Sequence, residues 1–436
     1  MTKIEVMSSS VVGTTGNIAS SISTLDLTTW DLRLLPSTYI QKGLIFHKPQ
    51  SQDSFILHLK TSLSHTLDLF PPLAGRLATN AHHATMSRFF IDCNNAGAEF
   101  THAVAAAISL SDILEPNYTP QIVSSFFPLN GVSNLQGVST PLLAVQLTEL
   151  ADGIFVGCAA NHAVVDGTSF WHFINSWSQI SRGFDKISKP PVFERNDNNN
   201  NRLVHLPTLE QNLFAPSPAL QKVFHFSKES VAKLKAKANS EASSDDDFKI
   251  KISSLQAVVA HLWRSVIRCR WLSDSESSEE EARMMMAVGA RARMSLPDGY
   301  FGNAAYVATV AIGEGELLHK GLGYAALRIN EVVSEQTKEA IMRDAEENPT
   351  LGGGLLGGRL PLIIGSSPRH DVYGNDFGWG KPIAVRSGEA HKHDGLVLVL
   401  PAAEGGGIDV EVCLAEETLE AMEYDADFMG AFITST

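Results

Sequence analysis

Between Ser54 and Phe70 the apolar residues Phe55, Ile56, Leu59, Leu63, Leu67 and Phe70 recur at the spacing of a helix with one buried face. Pro71 and Pro72 end that helix, because proline lacks the backbone donor the next turn requires. Leu142 to Leu150 and Ile154 to Ala160 are strand-like runs on either side of Ala151-Asp152-Gly153, the pattern of a β-hairpin around an Asp-Gly turn. From Thr168 the period changes back: Phe170, Trp171, Phe173, Ile174, Trp177 and Ile180 share one broad helical face, with Thr168 or Ser169 as its expected cap. The second half repeats this mixed character. Leu255, Val258, Val259, Leu262, Trp263, Val266 and Ile267 predict an amphipathic helix, Leu396 to Leu400 and Ile408 to Leu414 predict strands, and Glu416 to Met429 predicts a closing helix.

Between the halves the pattern fades. Lys189-Pro190-Pro191 is followed by a polar run from Arg195 to Arg202, which has little to bury and suits a crossover between domains. Asp274 to Glu281 reads as a solvated acidic loop and Gly352 to Gly358 as a glycine-rich one.

At 436 residues the chain is long enough for two domains with separate cores, and 44% apolar with 19% charged residues fits a globular protein. The net charge of -14 sets it against nucleic acid or an anionic membrane as a partner. No apolar run approaches the roughly 20 residues of a membrane helix. Cys93, Cys158, Cys269 and Cys413 are scattered and form no C-x-x-C pair, so neither a disulfide framework nor a structural zinc site is expected. With no basic-then-apolar leader at Met1 to Ser10, the expected compartment is the reducing cytosol.

The chemistry concentrates at Asn161-His162-Ala163-Val164-Val165-Asp166-Gly167, where a strand-like run gives way to a helix-like one. An imidazole there has a free nitrogen near neutral pH and can take a proton from an attacking hydroxyl. Gly167 allows a sharp turn into the helix. Asp166 can hold the other ring nitrogen, or turn away and pair with an arginine; the spacing leaves both open. Far downstream lies Asp376-Phe377-Gly378-Trp379-Gly380, which by itself reads as a turn with an anchored aromatic. His391-Lys392-His393-Asp394 reads as a solvated loop, since no third or fourth metal ligand is evident.

His162, Asp166 and Gly167 match an H-x-x-x-D-G motif, and Asp376 to Gly380 match D-F-G-W-G in full. Together with Trp30-Asp31-Leu32, Tyr39, Pro72 to Leu77, Tyr300-Phe301-Gly302-Asn303 and Ala260 to Arg264, they make the chain resemble the BAHD acyltransferases of plant specialised metabolism over nearly its whole length. The resemblance implies an α/β fold of two domains related to chloramphenicol acetyltransferase, each a mixed sheet with flanking helices. Residues 1–188 would carry the histidine motif, 189–215 would be the crossover, and 216–436 would carry D-F-G-W-G. A channel would run between the domains, with acyl-CoA reaching the histidine from one face and a small-molecule alcohol from the other.

The same resemblance implies residue roles. His162 would be the general base, deprotonating a hydroxyl or amine that attacks the thioester directly; no serine or cysteine nucleophile adjoins it in sequence. Asp166 and Gly167 would shape the loop. Asp376 would pair with Arg291, with Gly378 and Gly380 completing a structural turn, and the Trp379 indole N–H would stabilise the oxyanion. Ser253 and Ser254, with Lys249 and Lys251, resemble the segment lining the coenzyme A path; on their own they read equally as a strand end running into a helix cap. Acyl-CoA would be the co-substrate, with no permanently bound cofactor or metal, in a monomer.

Two departures bear on the acceptor. Gly289 stands where an acidic residue often precedes the arginine, and Ser366-Ser367-Pro368-Arg369-His370 replaces a tryptophan and proline that shape the acceptor wall, which points to Arg369 and His370 as acceptor-pocket residues. General likeness to the shikonin/alkannin O-acyltransferases implies a naphthoquinone side-chain alcohol as acceptor, with cuticle-related and phenolic-ester transferases left open. The alternatives are a lyase on the same scaffold that uses no acyl-CoA, and a non-catalytic binding protein.

Overall fold

The computed structural model describes residues 4–16, 22–49, 55–83, 86–195, 204–205, 219–242, 251–273, 280–347, 360–389 and 392–432. Gly352–Gly358, Lys249, His391 and residues 274–279 of the acidic tract lie outside these; Glu281, expected in that loop, opens a strand.

Two six-stranded mixed sheets organise the chain. The first runs Glu5–Val12, Ala98–Ala105, Leu143–Leu150, Gly153–Ala160, Ile40–His47, Ala384–Ser387. The second runs Ala219–Phe226, Ile408–Ala415, Leu396–Pro401, Leu362–Gly365, Glu281–Gly289, Ala305–Gly313. Each combines parallel and antiparallel neighbours. The helices Phe55–Leu69 and Gly167–Ser181 bury their apolar stripes on the first sheet, where Leu59, Leu63, Leu67, Phe173 and Trp177 meet Leu44 and Val156 in one core. The helices Lys228–Ala242, Ser254–Ser273 and Gly321–Ser334 cover one face of the second. Among the described residues no helix is long and apolar enough to cross a membrane. All four cysteines are free thiols; burial pushes those of Cys93 and Cys158 up to about 12.

The hairpin forms where expected, with Gly153 required for a different reason. A Cβ there would lie 2.5 Å from Leu110 Cδ2 and 2.8 Å from the Phe46 carbonyl, so the glycine answers a close approach. The helix after the motif begins at Gly167, and its N-cap is Asp166, not Thr168 or Ser169: the Asp166 carboxylate accepts from Ser169 N at 2.9 Å. The closing helix divides into Glu416–Tyr424 and Ala426–Met429, because Asp425 leaves helical geometry to cap Asp427 N and to receive Ser265 and Arg268.

The domain boundary also needs correction. The segment carrying D-F-G-W-G belongs to the first core, where Val372, Phe377 and Val385 are buried beside Trp177, and Ala384–Ser387 completes the first sheet by pairing with Ile40–His47. The second half therefore lends a strand to the first domain. The crossover is anchored where it is described: Val192 pairs with Tyr300, and Val204–His205 pairs with Met86 and Ser87. His393 is buried and Asp394 is held by Arg270 at 2.9 Å, so that part of the histidine-rich loop is packed rather than solvated.

Candidate active site

The chain leaves the buried strand Gly153–Ala160 and forms a bonded loop around His162. Asn161 Oδ1 accepts from Ala163 N at 3.0 Å, and the Asn161 carbonyl accepts from Val164 N and Val165 N. His162 N donates to Asn134 Oδ1 at 2.7 Å, and the His162 carbonyl accepts from Asn303 Nδ2 at 2.8 Å. Ala163, Val164 and Val165 are buried in the first core, whereas the His162 residue keeps some accessible surface. Its backbone is thus fixed from both domains, by Asn134 at the amide and by Asn303 at the carbonyl.

Burial holds the His162 imidazole below its usual value; contacts with its own and the Val165 carbonyl and the charge of Asp166 oppose this, and Lys42 adds to it. The ring is neutral at physiological pH. Lys42 sits in the strand Ile40–His47, its ammonium buried and pushed down to about 8 by desolvation despite Glu411 nearby. It donates to Ser387 Oγ at 2.6 Å, and Ser387 N donates to Glu411 Oε2, so the group bridges the two sheets.

Asp166 turns away from the ring. Arg291 Nη1 donates to its Oδ2 at 2.6 Å and Nη2 to its Oδ1 at 2.9 Å, while Ala304 N donates to Oδ2 at 3.0 Å. Burial pushes this carboxyl up, but the guanidinium and the two amide donors win and its value falls below the usual one. Ser169 Oγ joins the cluster, donating to the Gly302 carbonyl and accepting from Gly302 N and Arg291. Gly167 has no positive φ; a Cβ there would come within 3.2 Å of His370 Nε2, a tight contact that a shift of the His370 ring would have to relieve.

Arg291 is therefore the partner of Asp166, not of Asp376. Asp376 Oδ1 instead accepts from Gly378 N at 2.8 Å and Gly380 N at 2.9 Å. Those glycines have φ of +111° and +116°, a region other residues rarely adopt, which accounts for the D-x-G-x-G spacing. Trp379 is also misplaced for the oxyanion role. Its ring lies 5.8 Å from Phe46 and 6.2 Å from Phe55. Phe46 pairs with Ile154, six strand positions from the Ile40–Ala160 pair that leads into His162, or roughly 20 Å at ~3.3 Å per residue. Phe377, two residues earlier, accepts from Ser181 Oγ at the far end of the helix that starts beside the motif.

Arg369 and His370 line a cavity of about 530 Å³ between the domains, with Trp171, His172, Lys189, Arg291 and Tyr300. Burial pushes the His370 imidazole down to about 4, with Lys42 and Arg291 adding to it against Asp166. His162 is not part of this cavity's wall, which lies on the Arg291 side of the motif. Ser253 caps the helix Ser254–Ser273: Gln256 N donates to its Oγ and its own N donates to Gln256 Oε1. Ser254 is half-buried and Lys251 exposed beside it. Among the described residues no group of three or more histidine, cysteine or acidic side chains is placed to hold a metal ion.

Sequence reading missed Lys42, Asn134 and the use made of Asn303. Lys42 left a trace, as a lone charge inside the apolar run Ile40 to Phe46. Asn134 left none, since only the fold brings it to the His162 amide.

Comparison with known proteins identifies the family. Residues 2–429 match the family described as the transferase family. An uncharacterized acetyltransferase of Arabidopsis thaliana is 39% identical, over 93% of this chain and 94% of its own length. The BAHD acyltransferase DCR of the same plant is 32% identical over 98% of this chain and 92% of its own. The solved structure of F. sporotrichioides TRI101 complexed with coenzyme A and T-2 superposes with a TM-score of 0.74 at 18% identity, covering 93% of this chain and 98% of that one. The chain belongs to the transferase family, among the plant BAHD acyltransferases.

Proposed function

We propose that this enzyme transfers an acyl group from a coenzyme A thioester to a hydroxyl of a small plant metabolite, with His162 as general base. The carrying observation is that the His162 backbone is fixed at both its N–H and its C=O, while burial holds its ring neutral and able to take a proton. The acceptor hydroxyl gives its proton to the imidazole as its oxygen attacks the thioester carbonyl. The tetrahedral intermediate then collapses, the C–S bond breaks, and the imidazolium returns the proton to the thiolate. Asp166 and Arg291 hold the loop rather than the ring.

Coenzyme A is proposed to approach along Ser254 and Lys251, at the N-terminus of a twenty-residue helix, where amide dipoles favour anions. TRI101, bound to coenzyme A in its structure, shares the fold and supports a thioester as donor. Arg369 and His370, the latter packed beside Gly167 of the motif, are proposed to border the acceptor's path toward His162. Because both domains of one chain supply the motif's partners, a monomer suffices. The finer reading, a naphthoquinone side-chain alcohol of the shikonin/alkannin kind, rests on sequence likeness alone. A screen of acyl-CoAs against alcohol acceptors, read by mass spectrometry, tests the whole. Product that requires the thioester supports the proposal; product formed without any thioester replaces transfer with a lyase reaction.

A further inference from the structure

Asp31 and Asn303 stand 272 residues apart in the chain and are bonded twice in the fold. Asn303 N donates to Asp31 Oδ1 at 3.0 Å and Asn303 Nδ2 donates to the same oxygen at 2.9 Å. The amide's remaining donor goes to the His162 carbonyl at 2.8 Å. A carboxylate and a carbonyl can only accept, so a flipped amide would set oxygen against oxygen twice, and the orientation of Asn303 is unique. Asp31 is itself fixed: its Oδ2 accepts from Thr28 N at 2.8 Å and Thr28 Oγ1 at 2.7 Å. Both side chains are buried, Asp31 at 0% and Asn303 at 2% exposure.

This chain of bonds ends on one atom, the His162 carbonyl oxygen. That oxygen has two lone pairs; Asn303 occupies one, and the His162 ring makes contact with the same carbonyl. Asn134 fixes the peptide from the other side through the His162 amide. Asn303 comes from the second half of the chain, in the turn just before the strand Ala305–Gly313, whereas Asp31, Asn134 and His162 come from the first. The turn that carries it is tied to the motif again through Ser169–Gly302 and Ala304–Asp166.

We propose that Asn303, oriented by Asp31, is a positioning residue for His162: it holds the carbonyl against which the imidazole rests, and so lets the second domain set the direction of the base. This rests on the reading of His162 as base. Without the amide, the carbonyl turns, the ring gains freedom to meet water, and the near-attack geometry is lost.

The test combines kinetics with a readout that needs no turnover. Asn303→Ala and the near-isosteric Asp31→Asn are prepared as full chains, with folding checked by circular dichroism. The His162 ring resonances are assigned by their loss in His162→Gln and titrated by NMR. Asn303→Ala is expected to lower kcat about 10- to 100-fold, the cost of a base displaced by about 1 Å, with KM for acyl-CoA changed less than about threefold. Its His162 midpoint is expected to rise toward 6.5, the value of an unburied imidazole, and Asp31→Asn is expected to shift it the same way by less. A His162 midpoint equal to wild type in both folded variants overturns the proposal, whatever happens to activity. Full activity in His162→Ala overturns instead the reading of His162 as base, and the titration still decides whether Asn303 positions the ring.

Discussion

Arg291 grips Asp166 through both carboxylate oxygens, at 2.6 Å and 2.9 Å, in a site where Asp166 is almost wholly buried. Removing the guanidinium alone would leave a buried carboxylate without its cation. Arg291→Met is therefore expected to lose about 3–5 kcal/mol of stability in chemical denaturation. Asp166→Asn should lose less, because the guanidinium it leaves unpaired keeps 21% of its side chain exposed, against 7% for the carboxylate. The pH dependence has a defined sign. The folded carboxyl lies below its unfolded value, so its contribution is present above about pH 4 and disappears as pH falls through the folded value. Asp166→Asn should flatten the stability curve on that acid side; an unchanged acid limb would detach Asp166 from it.

Trp379 is expected to matter for packing and not for chemistry. Its indole is stacked on Phe377 at 5.7 Å and edge-on to Phe46 and Phe55. Trp379→Phe should keep kcat within about threefold, and Trp379→Ala should cost about 3–5 kcal/mol in denaturation. A Trp379→Phe enzyme that is stable and a hundredfold slower would return the residue to the reacting atoms.

His370 should make the protein sensitive to mild acid. Its folded value of about 4 lies below the ordinary 6.5, so the unfolded chain binds more protons between those limits. Stability should fall as pH drops from 6.5 toward 4. His261, also held near 4 by burial, contributes a parallel slope. In His370→Gln the loss in Tm over this interval should shrink to what His261 and other groups leave. An identical pH profile would mean that His370 is hydrated.

Asp376 should be a turn-former without a catalytic share. Asp376→Ala leaves the amides of Gly378 and Gly380 without their common acceptor and is expected to cost about 1–3 kcal/mol. Single-turnover rates with saturating acyl-CoA should stay near wild type wherever the variant is folded.

The sequence displays local features well. The helix at Phe55–Leu69, the Leu143–Ala160 hairpin and the setting of His162 between strand and helix all follow from periodicity and turn residues within about twenty positions. What it hides is long-range. Ala384–Ser387 is an ordinary short strand in sequence, and only the assembled sheet shows that it pairs with Ile40–His47 in the other half. That pairing carries Asp376–Gly380 into the first core and separates Trp379 from His162, against the expectation from motif likeness. The choice of Arg291 for Asp166 over Asp376 has the same origin, since two carboxylates compete in sequence and the fold brings one of them within reach. Asn134 and Asn303 are common polar residues whose meaning appears only when their amides meet the His162 peptide.

The most direct measurement is the turnover of His162→Ala with an accepted pair of acyl-CoA and alcohol, on protein whose circular dichroism and Tm match wild type. The proposed role of His162 predicts a turnover about 10²- to 10⁴-fold slower, with acyl-CoA binding retained. Turnover within about tenfold of wild type would contradict a mechanism in which this imidazole takes the acceptor's proton.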